Sequence, residues 1–183
     1  MRTKYILLGV VLGILFVPIT LLVWLRFGHP PVAVSDAPLP LEKMIVEVPM
    51  GARIHRELVK TPPIQPTEAN FFGGAMVYRE NCAVCHRVPG KPANIGAKMY
   101  PDAPPLWEQH HGNGTVGVSD DEPGETYWKV NNGIRLTGMP SFKVILSETE
   151  MWQVSQLLAN ANKPMSQRVL DVLRGEPSAA SGH

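Results

Sequence analysis

The sequence predicts an all-α domain set behind one transmembrane helix and a proline-rich linker. Three observations carry that expectation. Tyr5 to Leu25 contains no charged residue, and eight of the 18 prolines fall between Gly28 and Pro66. From Thr67 onward, helix caps and apolar positions three and four residues apart recur, whereas strand-like alternation is weak. The 183 residues carry a formal net charge of +1, which speaks against a polybasic nucleic-acid binder. Two cysteines exclude both a multi-disulfide scaffold and a four-cysteine zinc site.

The 21 residues from Tyr5 to Leu25 are mostly aliphatic. At ~1.5 Å per residue they match the ~30 Å hydrocarbon thickness of a bilayer. Arg2 and Lys4 precede the run and only Arg26 follows it directly. The positive-inside rule then predicts a single pass of the cytoplasmic membrane, with the rest of the chain on the periplasmic side. A cleaved signal peptide, cut near Ala33-Val34-Ser35, is the rival reading. The apolar run is longer than the ~7–15 residues usual for a signal core and ends well before that site. Both readings export the chain. With the three flanking basic residues set aside, 14 basic residues face 16 acidic ones, so the positive balance is a topology signal.

The expected division is an anchor at 1–27, a linker at 28–66, a helical domain at 67–175 and a flexible tail at 176–183. Proline density favours an extended, semi-rigid spacer in the linker. Within it, Met44 to Val48 reads as a short strand and Arg53 to Lys60 as a short polar helix, with His55 on its surface. In the domain, Asn70 to Arg79 reads as a helix starting near Thr67 or Glu68, with Phe71, Phe72, Ala75, Met76 and Tyr78 available to pack. Glu125 to Asn132 reads as a shorter helix that stops at Gly133. Ser147-x-x-Glu150 is a capping box, and Met151, Val154, Leu158 and Ala161 follow at the spacing of one helical face.

Both cysteines fall in Cys82-Ala83-Val84-Cys85-His86, the attachment signature of c-type haem. Two thiols three residues apart on a tight turn reach the two vinyl groups of one porphyrin. The next residue, His86, then lies under the iron as the proximal ligand. A thioredoxin-like redox pair wants a βαβ context, but the flanks are helical. Zinc needs two more ligands, for which only His86, His110 or His111 is on offer, and a disulfide across two residues is strained. One covalent haem c is the expected cofactor.

For the sixth iron position, Met139 stands in a Gly138-Met139-Pro140 loop between two predicted helices. Pro140 biases Met139 toward extended backbone that presents its side chain. Met99 and Met151 read as core fillers, and His110-His111 competes as a bis-histidine alternative in a Gly/Asn-rich loop.

Taken together, Gly74-x3-Tyr78-x3-Cys82-x2-Cys85-His86, Pro104-Pro105-Leu106, Tyr127-Trp128, Asn132-Gly133-Ile134 and Gly138-Met139-Pro140 resemble the class I cytochrome c pattern. The likeness, over roughly 69–162, is to small bacterial cytochromes c grouped with subunit III of cbb3-type oxidases. It implies a cytochrome c-like helical domain around one haem. It also implies a proline carbonyl holding the ring N–H of His86, from Pro104 or Pro105, with Pro105 as the site residue expected. Trp152 falls where the family's last helix carries an aromatic that packs on the first.

The expected function is one-electron transfer by a membrane-tethered monohaem cytochrome with His86/Met139 ligation, an electron carrier and not an enzyme. The alternative is a fixed haem subunit of a respiratory oxidase or dehydrogenase complex. A haem peroxidase or gas sensor is the lesser option, since it needs an open sixth position. The expected partners are redox proteins and the membrane, with no nucleic acid. Lys91, Lys98, Lys129, Arg135 and Lys143 are candidates for a basic rim that steers an acidic partner, and 113–125 reads as an acidic solvated loop.

Overall fold

The computed structural model describes residues 2–92, 94–110 and 114–176. The chain falls into two compact units, Met1–Glu42 and Lys43–His183. The first holds α1 (Arg2–Phe27), 26 residues with Pro18 inside. This helix is long and apolar enough to cross a membrane, and its side chains are exposed along its whole length. Such a coat of Leu, Ile and Val is stable in hydrocarbon, where a proline within the helix is also tolerated.

The second unit is helical. Its elements are α2 (Glu42–Glu57), which starts at the unit boundary, α3 (Glu68–Asn81), the single turn α4 (Ala83–His86), and a 3-10 turn (Ile95–Lys98). A two-residue ladder follows, β1 (Gln109–His110) antiparallel to β2 (Thr115–Val116). Then come α5 (Pro123–Asn132), α6 (Glu148–Ala159) and α7 (Gln167–Arg174).

Local chemistry sets the helix ends. The Thr67 hydroxyl accepts the Asn70 N–H at 3.3 Å and starts α3. The capping box of α6 is closed both ways, Glu150 N–H to Ser147 Oγ at 3.3 Å and Ser147 N–H to Glu150 Oε2 at 2.7 Å. Pro123 begins α5, where its missing N–H is harmless, and Gly133 ends it at φ 68°, a conformation glycine adopts without strain.

Helix α3 packs on α6 and α7, and α6 also packs on α5. At Gly74 the backbones of α3 and α6 come so close that a Cβ would strike the Gln153 carbonyl. Tyr78, Trp152, Val154, Leu157 and Leu173 are buried to at least 99% in the resulting core. Each contributes about 1.5–3 kcal/mol by burial.

Three expectations change. The stretch read as a strand and an extended spacer contains a 16-residue helix, α2, despite Pro49. Val46, Met50 and Ile54, four residues apart, are turned from solvent along one face, and packing of that stripe outweighs the β-propensity of Met44 to Val48. Helix α6 ends at Ala159, so Ala161 lies just past it. The separate helix α7, capped by Ser166 and closed by Gly175, had no counterpart in the sequence reading. Most of the expected tail, 177–183, lies outside the described residues.

Candidate haem site

The last turn of α3 delivers Cys82, whose N–H donates to the Tyr78 carbonyl at 2.9 Å. The chain continues directly into α4. Cys85 and His86 N–H groups both donate to the Cys82 carbonyl, at 3.1 and 2.9 Å. The Cys-x-x-Cys-His run is therefore a helical turn that sets both sulfurs and the imidazole from one short piece of backbone. The two cysteines are not joined in a disulfide, and burial, helped by the neighbouring Cys85, pushes the Cys82 thiol up to about 12.

Tyr78 holds this turn in place. Its hydroxyl shares one proton between the carbonyls of His86, at 2.9 Å, and Arg87, at 2.6 Å. Arg87 ends α4 at φ 65°, a left-handed conformation that a non-glycine residue adopts only when its surroundings hold it there. Burial raises the Tyr78 phenol above its usual pKa, so it remains a donor. Its ring meets Trp107 edge-on, with centroids 5.6 Å apart. Tyr78→Phe is expected to lower stability by about 1–2 kcal/mol, read in a denaturant melt. An unchanged midpoint would remove Tyr78 from this role.

His86 Nδ1 lies 2.9 Å from the Pro104 carbonyl. A carbonyl only accepts, so Nδ1 carries the proton and Nε2 keeps its lone pair for a metal. Burial lowers the imidazole pKa, against the opposing effect of the Pro104 bond, and so favours the neutral ring that ligates iron. The proline carbonyl at His86 is thus that of Pro104, one residue before the expected Pro105. Pro104, and not Pro105, lines the adjoining cavity.

That cavity has a volume of about 350 Å³ and a mainly apolar lining. Cys82, Cys85 and His86 line it together with Met99, Met139 and Phe142. Loop hydrogen bonds hold Met139 there. Its N–H donates to Thr137 Oγ1 at 3.1 Å, its carbonyl accepts from Ile134 at 3.1 Å, and Phe142 N–H donates to Val130 of α5 at 3.0 Å. Met99, expected as a filler, places its methyl group against Gly138 in the same cavity.

Two polar groups of α5 face this apolar space. Thr126 is 5% exposed and lines the cavity, and its hydroxyl has no hydrogen-bond partner among the described residues. Lys129 also lines it, with Nζ 2.8 Å from Glu125 and 3.1 Å from Asp121. Burial alone would lower the lysine pKa, but the two carboxylates hold it above the usual value. Lys129 is therefore a half-buried cation paired on both sides and not a free member of a steering rim, and Asp121 and Glu125 are its counter-ions instead of a free acidic loop. Lys129→Met leaves two carboxylates facing each other and is expected to cost about 1–3 kcal/mol. A thermal melt matching the unmodified protein would contradict this.

The remaining expected residues are spread over the domain. Trp152 stacks on Tyr127 of α5, at 4.1 Å and 9°, an arrangement the sequence did not signal. The backbone of His110 forms β1, and His111 lies outside the described residues. His55 is exposed on α2. The cavity-lining residues Val46 and Met50 were missed because they lie in the proline-rich stretch, and only their four-residue spacing with Ile54 signals them.

The residues fit a covalent haem. Two thiols and an imidazole with a free Nε2 adjoin an apolar cavity within the ~300–1,000 Å³ usual for cofactors, and the Thr126 hydroxyl waits there without a partner. Fold and site define a c-type cytochrome domain. Residues 69–158 match the family described as cytochrome C oxidase, cbb3-type, subunit III. No curated protein matches the chain.

Proposed function

We propose that this chain is a membrane-tethered monohaem cytochrome c that passes one electron at a time between redox proteins on the periplasmic side. Cys82 and Cys85 carry the haem, and His86 and Met139 ligate its iron. The observation that supports this best is the presence of His86, tautomer fixed by Pro104, and Met139 in one cavity with both cysteines.

When bound, the haem supplies an iron centre that alternates between Fe(III) and Fe(II). The protein's part is to hold two ligands and a dry shell. The soft thioether of Met139 favours Fe(II), and the bond from His86 Nδ1 to Pro104 tunes the imidazole's donation. Two protein ligands leave no vacant position for peroxide or gas. Helix α1 supplies the membrane tether, with its N-terminus on the cytoplasmic side by the charge rule.

The family's description favours a second reading, a fixed subunit of a respiratory oxidase complex. Purified from native membranes, the chain is expected to show one haem per polypeptide, a c-type α band when reduced, and a methionine-to-iron charge-transfer band when oxidised. Migration alone on a native gel supports the shuttle, and stable co-migration with a larger complex supports the subunit. Rapid carbon monoxide binding by the reduced protein would overturn closed His/Met ligation.

A further inference from the structure

We propose that α2, which lies outside the family-matched residues 69–158, is a wall of the haem crevice, with Val46 and Met50 shielding the bound haem from water. The inference rests on the reading that the cavity holds haem.

Sequence spacing aims the helix. Val46, Met50 and Ile54 lie on one face, and they are turned from solvent while their neighbours on α2 are exposed. The upper part of that stripe meets the cavity, since Val46 and Met50 line the same space as Cys82, His86 and Met139. The lower part is an anchor, because Ile54 is only 5% exposed.

Polar fastenings hold the lower end. Trp128 Nε1 donates to Glu57 at 2.7 Å, and Arg53 lies 5.6 Å from the Trp128 ring while bonding Glu57 at 2.8 Å. Farther on, the Val59 carbonyl packs so closely on Gly124 of α5 that no side chain fits there. Gln156 of α6 donates to the Ile64 carbonyl at 3.2 Å, and Asn70 of α3 donates to Gln65 at 2.9 Å. The segment from Arg53 to Gln65 is thus bound to three helices of the domain.

All of these fastenings lie at Arg53 or beyond. The cavity-facing turns, around Val46 and Met50, carry no polar fastening to another element among the described residues, and Pro49 between them removes one helical hydrogen bond. Helix α2 is therefore a strap fixed at its C-terminal end and laid over the crevice at its N-terminal end. What reads in sequence as a spacer is a structural part of the redox site.

The test uses the full-length, haem-loaded protein in detergent. Two sets of variants are compared with the unmodified chain. In the first, Val46→Ala with Met50→Ala removes the wall, and Val46→Leu with Met50→Leu restores its bulk. In the second, Glu57→Gln with Trp128→Phe cuts the fastening and leaves every cavity side chain intact. The readouts are the rate of haem reduction by ascorbate and the shift of the Soret band in glycerol. The alanine pair and the fastening pair are each expected to raise the rate several-fold and enlarge the Soret shift, and the leucine pair to stay near the original. Should the alanine pair not retain haem, the fastening pair carries the same test. Unchanged rates and shifts in haem-replete variants overturn the wall. Absence of haem from the unmodified protein overturns the proposed function instead.

Discussion

A Cys82→Ser, Cys85→Ser chain is expected to carry no covalent haem and to lose most of its folded stability with it. In the proposed assignment the two sulfurs are the attachment points, and serine cannot form the thioethers. The larger effect comes from the space left behind. A fully closed void of 350 Å³ at roughly 24 cal/mol per Å³ amounts to about 8 kcal/mol, an upper bound for this partly open crevice. That is comparable to the ~5–15 kcal/mol that holds a typical domain together. Collapse of Met99 and α2 into the cavity offsets part of it. Haem staining of a denaturing gel reads the attachment, and a thermal melt reads the stability. A haem-free variant that melts cooperatively within a few degrees of the native protein would show that the haem is not part of the core.

Met139→Ala is expected to lower the reduction potential by ~0.1–0.3 V, a fraction of the ~0.8 V that axial ligands command. The charge-transfer band of the oxidised protein disappears, and the reduced protein gains the ability to bind carbon monoxide. The stability loss is smaller, for a half-buried methionine at the low end of the ~2–5 kcal/mol of core truncations. Because Met99 lines the same cavity, the double variant Met139→Ala, Met99→Leu separates loss of the native ligand from rescue by a second thioether. Redox titration with near-infrared spectroscopy decides the assignment. If the charge-transfer band persists in Met139→Ala and vanishes only in the double variant, Met99 is the ligand.

How much was legible depends on how local each feature is. The Cys-x-x-Cys-His turn was legible as a local structure, because five consecutive residues encode it and α4 folds from their own hydrogen bonds. The capping box at Ser147 and the stop at Gly133 were legible for the same reason. Which proline carbonyl reaches His86 was not, since that hydrogen bond spans 18 residues of loop and a one-residue shift has no local signature. Lys129 looked like any surface lysine, and only the return of the chain past Asp121 makes it a half-buried ion pair. Helix α2 was obscured by composition. Proline counts pointed to a spacer, while the four-residue stripe needed a docking surface before it had meaning.

By itself, then, the sequence determined the chemistry and the segments: an apolar span, a Cys-x-x-Cys-His turn, a methionine loop and the caps of their helices. These are consequences of covalent spacing and nearest-neighbour hydrogen bonds, which each segment carries wherever it lies. Only the tertiary structure decided what surrounds the cofactor site: Pro104 at His86, Tyr78 beneath the turn, Trp152 on Tyr127, and α2 along the cavity. Those choices depend on burial and shape between parts of the chain far apart in sequence, and they are settled only when the helices pack.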